Sequence, residues 1–383
     1  MKPKSNNLPK GWLKVKLGEI MQISRDFGRK IKVSEYKAKG LIPIYDQGSD
    51  YISGYTDDLK AVHNGQLPAI LFGDHTLRLR LINHKFAIGA DGIQILEPLD
   101  STIDRIFLYY LLKYAIKSLK SYGYERHLKY LRELEISYPE DINEQKRIAD
   151  ILSAFDDKIE LNNKIIKTLE EMAQEVFKEW FNKNSNFKSQ RSKLGELVQI
   201  ISGYPFSSKS YNKHRKGFGV VTIKNVQDGG FITECDSFIE EEKIPKNMNQ
   251  ECLISDGDIL LSLTGNVGRV CFVYGGKYLL NQRVAKLKPK NPNNIAFIYF
   301  LFRQPNIQNL LINMAKGSAQ PNLSPVETGE IEITIPAREI LDKLNKVINP
   351  VYEKLIKLKV ENQTLAILRD LLLPKLMSGE IKV

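Results

Sequence analysis

A chain of 383 residues with 42% hydrophobic and 26% charged residues has the composition of globular domains that bury a core, and its length fits about two of them. Its 56 basic residues outnumber 45 acidic ones, and a formal charge of +11 draws polyanions, nucleic acid first, although basic composition alone does not require such a partner. Three widely spaced cysteines exclude a disulfide framework or zinc site, and the absence of a long apolar run or signal-like N-terminus leads us to expect a cytoplasmic protein with no membrane partner.

The chain is written twice. KLGEIMQI at 16–23 returns as KLGELVQI at 193–200, FLYYLL at 107–112 as FIYFLF at 297–302, and LEISYP at 134–139 as IEITIP at 331–336. Each copy then enters a long apolar-periodic segment, so the pattern is one unit used twice, a globular block followed by a helix. Such a molecule suits a ligand with two recognition points.

In chain order, the first block mixes short β-type runs, AILFG (69–73), LRLRLI (77–82) and IQIL (93–96), with one helix over 103–119 that carries Phe107, Tyr110, Leu111 and Tyr114 on one face. Alternation of Leu77, Leu79 and Leu81 with Arg78 and Arg80 predicts a half-buried strand with exposed arginines. PEDINEQK (139–146) supplies acids to a helix N-terminus. The helix that follows bears Ile148, Leu152, Phe155, Ile159, Asn162, Ile166, Leu169, Ala173, Val176 and Trp180 in four-three alternation, the repeat of a coiled-coil seam.

The second block repeats the mixture with GDILLSL (257–263), GRVCFVY (268–274) and a helix near 294–311. Its turns differ from those of the first, so the blocks share a scaffold but not a target. The C-terminal segment supplies a second seam through Leu344, Ile348, Val351, Leu355, Leu358, Asn362, Leu365, Leu372 and Leu376. Antiparallel packing with Asn162 opposite Asn362 sets Ile166 against Leu358, Leu169 against Leu355, Val176 against Ile348 and Phe155 against Arg369, the asparagines fixing register. Pro350 should kink this helix or delay its start. About 39 residues at ~1.5 Å each span roughly 58 Å, the length of a spacer.

The predicted fold is α+β: two similar mixed domains separated by two long helices packed as an antiparallel coiled coil, with an internal pseudo-two-fold. The predicted boundaries are 1–142, 143–184 (first spacer helix), 185–336, and 337–383 (second spacer helix and tail). Phe177, Trp180 and Phe181 are candidates for docking a partner or packing on the second block.

LPKGW (8–12), the two KLGE openings, NEQKRIADIL (143–152), GDILLSLTGNVGR (257–269), GSAQPNLS (317–324), IEITIP and LLLPKLMSGEI (371–381) stand in an order that resembles the specificity subunit of type I restriction-modification systems across essentially the whole chain. The resemblance implies a non-catalytic protein without a cofactor, whose two target recognition domains each read one half of a split, asymmetric site in double-stranded DNA. It also implies that antiparallel spacer helices dock two modification (methyltransferase) subunits, to which restriction/translocase subunits add. The first block departs from the pattern, with GYERHLKYL (123–131) where the second has GSAQPNLS.

The residues themselves agree on catalysis: there is no GxxxxGK[ST] loop, GxSxG elbow, HExxH helix or base-flipping Asn/Asp-Pro-Pro-Tyr run. Arg, Asn and Gln discriminate base edges, while Ser, Thr, Tyr and Lys hold phosphates. On that chemistry the first block offers Ser24, Arg25 and Arg29, then Gln47, Ser53 and Tyr55, then His75, Arg78 and Arg80, and Tyr124, Arg126, His127 and Lys129. The second offers Ser202, Tyr204 and Ser207, Lys224 and Asn225, Thr264, Asn266 and Arg269, Asn281, Gln282 and Arg283, and Ser318, Gln320 and Asn322. Gly265 and Gly268 also suit a plain hairpin turn. A coiled-coil scaffold with two protein-binding heads is the competing function.

Overall fold

The computed structural model describes residues 8–48, 50–89, 92–119, 125–182, 189–212, 214–232, 235–315 and 321–383, the side chains of 181 and 182 excepted. The chain forms two compact units, Met1–Lys158 with Leu365–Val383, and Ile159–Thr364. The division cuts both long helices, Ile142–Asn182 and Arg338–Met377. Ile148 and Leu152 therefore join one core with Leu373, Leu376 and Met377, while Ile166, Ala173 and Phe177 join another with Leu344, Ile348, Leu355 and Leu358.

Within the second unit, Asn162 donates its amide to Asn362 Oδ1 at 2.9 Å and to Glu361 at 3.1 Å, and Asn362 donates to Asn163 at 2.9 Å. The Glu170 carboxylate acts on Lys359, so residues ascending one helix meet residues descending the other. Within the first unit, Arg369 pairs with Asp156, which also accepts the Tyr110 hydroxyl at 2.8 Å and lies 3.5 Å from Lys113. That corrects the expected Phe155 partner by one position. Regular helix begins at Arg338, so Pro350 does not delay it. At the start of the other helix, Asp141 accepts the Asn143 amide at 2.9 Å, a capping role for the PEDINEQK acids.

The first unit holds a four-stranded sheet in the order Met21–Ile23, Ile93–Pro98, Ala69–Gly73, Leu79–Ile82, and a three-stranded one in the order Gly54–Thr56, Ile42–Tyr45, Ala87–Ile88. Its helix, Arg105–Ala115, is capped by Asp104 and buries Phe107, Tyr110 and Leu111. Leu77 is not in the strand; its φ of 56° puts it in the preceding turn, and Arg80 is only 9% exposed, against the expectation of an outward arginine.

The second unit pairs Val198–Ser202, Val284–Pro289, Ile259–Ser262, Val270–Val273 and Phe231–Ile232 in one sheet, and Phe238–Ile239, Phe218–Val221, Tyr278–Leu280 and Leu253–Ile254 in another. The helix expected over 294–311 is two, Ile295–Phe302 and Pro305–Ala315. Pro305 has no amide to continue the first and a φ suited to opening the second. Phe177 is fully buried, 5.4 Å from Phe297, and Trp180 packs on the same core, so both serve packing and Phe177 is closed to a partner; the Phe181 side chain lies outside the described residues.

Both units close in the same way. Trp12–Lys16 pairs antiparallel with Glu135–Pro139, and Ser189–Lys193 with Glu332–Pro336, so each LEISYP/IEITIP strand is the partner of the strand that runs into a KLGE motif. In the first unit, fully buried Gln145 ties this closure to the long helix: it accepts the Asp104 amide at 2.8 Å and donates to the carbonyls of Thr102 and Pro139 at 3.0 Å each. Trp12 adds a 3.1 Å hydrogen bond to Glu144.

Gln145→Ala removes three hydrogen bonds to backbone, one buried and two part-buried, and a buried group left unpaired costs about 1–3 kcal/mol. We expect a loss of about 3 kcal/mol, measured by urea unfolding of a Trp180→Phe background in which Trp12 reports on the first unit alone. A loss below about 1 kcal/mol would mean that other partners replace the amide.

Candidate nucleic-acid interface

In the first unit three loops are hydrogen-bonded into one surface. Arg80 donates to the carbonyls of Asp46, Gly48 (3.2 Å) and Asp50 (2.7 Å), and Arg78 donates to that of Gly48. Within the same loop Asp46 accepts the Gly48 amide at 2.7 Å and the Ser53 hydroxyl at 2.6 Å. Gln47 accepts the His75 amide at 3.3 Å, and the His75 ring meets the Glu125 carbonyl at 3.2 Å. The Asp74 carboxylate caps Leu128 at 2.7 Å, and its carbonyl accepts the His127 amide at 2.9 Å. Hydrogen bonds thus tie residues 46–48, Asp50 and Ser53 to residues 74–80 and 125–128.

On that surface Arg78, Arg126 and Lys129 are exposed, and Tyr51 is 62% exposed at the loop's edge. Tyr51 is absent from the sequence candidates, because an aromatic among turn residues carries no periodic signal. Arg80 is spent inside: burial first, then the neighbouring Arg78, lowers its pKa below the usual arginine value, and its donors face loop carbonyls. Ser24 and His127 are 1% and 2% exposed, so these two also correct the expectation of surface contacts. Arg29 is exposed but grips Glu35 through both terminal nitrogens at 2.9 and 3.1 Å and Asp58 at 3.1 Å. Arg25 is exposed, and Tyr55 sits half-buried in the Gly54–Thr56 strand. Tyr124 lies outside the described residues.

In the second unit the named clusters also converge. Asn281 donates its amide to the Val221 carbonyl at 3.1 Å, Leu263 to that of Arg283 at 3.0 Å, and Leu323 to that of Leu263 at 2.8 Å, which sets the 222–225 turn, residues 281–283, the Thr264 turn and Asn322 side by side. Lys224, Asn225, Asn281 and Arg283 line one pocket of about 300 Å³ with Thr222, Asp236 and Ser237. Asn266 and Arg269 line another of about 440 Å³ with Asp228, Gln308 and Pro321. Tyr204 bonds Leu280 and Gln282 through its backbone and Asn247 through its hydroxyl at 3.0 Å.

Lys224, Asn266, Gln282, Arg283 and Asn322 are exposed, as are Ser202 at a strand end and Ser207, which caps Ser208–Ser210. Arg269 is half-buried and donates to Gln227 at 2.6 Å. Gly265 and Gly268, at φ 69° and 84°, do form the hairpin turn between the Ile259–Ser262 and Val270–Val273 strands. Ser318 and Gln320 lie outside the described residues. Exposed guanidinium, ammonium and amide donors on rigid turns are the equipment that phosphates and base edges call for.

Among the described residues no cluster of three or more His, Cys, Asp or Glu could hold a metal ion, and no helix is long and apolar enough to cross a membrane.

The type I restriction modification DNA specificity domain matches the chain twice, over residues 9–171 and 186–367. The chain belongs to this family, and it is a specificity subunit, the component that selects DNA sequence and leaves catalysis to others. It is 29% identical to the type I restriction enzyme MjaIX specificity subunit of Methanocaldococcus jannaschii over 76% of this chain and 72% of that protein. It is 23% identical to the HindI specificity subunit of Haemophilus influenzae, over 81% and 83%. The crystal structure of a type I restriction-modification S subunit from M. genitalium superposes with a TM-score of 0.62 at 21% identity, covering 98% of both chains, which places the fold.

Arg80→Met removes the donors that hold loop 46–50. We expect the Gly48 and Ser53 amides to exchange about tenfold faster in hydrogen-exchange mass spectrometry, the equivalent of one lost buried hydrogen bond. Arg78→Met, which removes a single exposed donor, should change them less; equal effects would show that burial of Arg80 is not what shapes the loop.

Proposed function

We propose that each unit reads one half of a bipartite, asymmetric DNA site, and that the paired long helices act as an antiparallel coiled-coil spacer that fixes the gap. In the first unit Arg78, Arg126, Lys129, His75 and Gln47 face the DNA; in the second, Arg283, Gln282, Asn281, Lys224, Asn225, Asn266, Arg269 and Asn322 do. The observation that carries this reading is that loops distant in sequence converge, within each unit, on a donor-rich surface built from different residues. One scaffold with two unlike surfaces suits two unlike half-sites.

Two domains related by a pseudo-two-fold engage half-sites about one helical turn apart, ~34 Å, with an unread gap between. Helices of 41 and 40 residues, ~60 Å long at ~1.5 Å per residue, are long enough to set that distance. Buried Asn162, bonded to half-buried Asn362, holds their register, since any slip would leave its amide facing apolar side chains. The repeated helix ends offer related surfaces to two modification subunits, and restriction/translocase subunits join that assembly. The boundaries that follow are recognition domains at 1–142 and 185–336 and spacers at 143–184 and 337–383.

Methylation mapping of cells with and without the gene should reveal a bipartite motif that depends on it. Arg283→Ala should relax one position of one half-site by about 1–3 kcal/mol. Lys129→Ala should weaken all sequences alike and flatten the salt slope by about 0.9. No difference in selectivity between the two variants would remove the base-reading role of Arg283.

A seven-residue insertion in each long helix adds ~10 Å. The preferred gap should lengthen by about three base pairs, at ~3.4 Å each. An unchanged gap in a randomised-spacer binding selection would refute the ruler.

A further inference from the structure

Arg303 follows the Ile295–Phe302 helix, and its side chain is only 9% exposed. It joins three elements of the second unit. Nη1 donates to the Tyr299 hydroxyl at 2.9 Å and lies 3.4 Å from Glu170 on the first long helix, while Nε stands 3.7 Å from Asp228. The guanidinium also stacks over the Tyr299 ring at 5.0 Å.

Asp228 belongs to the turn at 227–230, which braces the Thr264–Arg269 hairpin. Its Oδ1 accepts the Val270 amide at 3.1 Å and the Gln308 side chain at 3.2 Å, and Gln227 accepts Arg269 at 2.6 Å. Gly229, at φ 63°, lies against the same guanidinium: a Cβ there would stand 2.5 Å from Arg303 Nη2. Lys359 on the second long helix donates to the Gly229 carbonyl at 2.7 Å. Both long helices therefore reach one turn, and that turn holds a candidate reading hairpin.

The first unit carries the helix half of this device at the copied position. FLYYLLK aligns with FIYFLFR, and Lys113 stacks over Tyr109 at 5.5 Å, 3.5 Å from Asp156 on the first long helix. A buried ion pair contributes little net stability against an apolar substitute of equal volume, so its use is in fixing geometry.

We propose that Arg303 is a positioning residue: it never touches DNA, but locks the 227–230 turn and the Arg269 hairpin to the spacer helices, so that the second half-site is read at a fixed orientation. This rests on the DNA-reading function above.

The test is selection of a randomised duplex pool by the full chain, with the bound fraction sequenced, for wild type, Arg303→Met, Arg303→Lys and Asp228→Asn. Arg303→Met and Asp228→Asn should lose about tenfold in preference at positions of the second half-site, the scale of one mismatched base pair, and accept neighbouring gap lengths. The first half-site, non-specific affinity and salt slope should stay unchanged. Arg303→Lys, matching the residue of the first copy, should behave close to wild type. Asp228 is half-exposed, with a side-chain exposure of 40%, so its isosteric variant tests the idea even where Arg303→Met does not fold. A wild-type profile for Asp228→Asn, or equal losses at both half-sites, would overturn the proposal. Failure of the wild type itself to select a bipartite sequence would instead overturn the DNA reading on which it stands.

Discussion

The pairing of each unit's first strand with its last is the constraint on which the remaining architecture depends. It brings residues far apart in sequence back together, Lys16 to Glu135 in one unit, and Lys193 to Glu332 in the other. The long helix begins within a few residues of the second strand in both cases, so closure also fixes where that helix leaves its domain. Exposed ion pairs decorate the join, Lys14 with Glu135 and Lys193 with Glu330, and such pairs contribute at most ~1 kcal/mol. Buried Gln145, with three hydrogen bonds to backbone, does more to set the angle of departure, because the Pro139 carbonyl would otherwise be buried unpaired and the Thr102 and Asp104 groups would lose their protein partner.

A domain closed at its base is free to vary its loops. The two units use that freedom through different physics. The first draws loop 46–50 inward on a buried arginine, leaving Arg78 and Tyr51 outside. The second uses a glycine hairpin, steadied from below by Asp228 and Gln227. In each, the charged group that shapes the surface is distinct from the charged groups left on it. Counting arginines near a site therefore overstates the number that can meet a ligand.

That distinction marks how far the sequence was legible. Ten apolar or amide positions at a 3.5-residue period made the first long helix readable, and the echo between copies identified the second. The cap at Asp141 follows from the acids of PEDINEQK, whereas the break at Pro305 and the cap at Asp104 lie inside stretches whose apolar periodicity reads as unbroken helix. Arg80 was read outward because alternation with leucine assigns only one face to the core. What reverses it is a set of carbonyls from a loop some thirty residues away, and nothing in a local pattern announces those. A seam written in apolar residues sets Phe155, not Asp156, against Arg369, because it ignores the charge beside it.

The polar groups within the long helices bear on a different question, which is why an apolar seam is interrupted at all. Leucine at Asn162 would bury more apolar surface, and leucine is the stronger helix former. An all-apolar seam, however, tolerates displacement by a whole repeat, since each leucine finds another leucine. Asn162 removes that tolerance in the second unit, because displacement would separate it from Asn362 and leave amides in an apolar groove. Asp156 with Arg369 imposes the same penalty in the first unit, with Tyr110 and Lys113 satisfying the remaining carboxylate valence. In the spacer proposed above such devices would have a further use, because a slipped register would change the length that is measured.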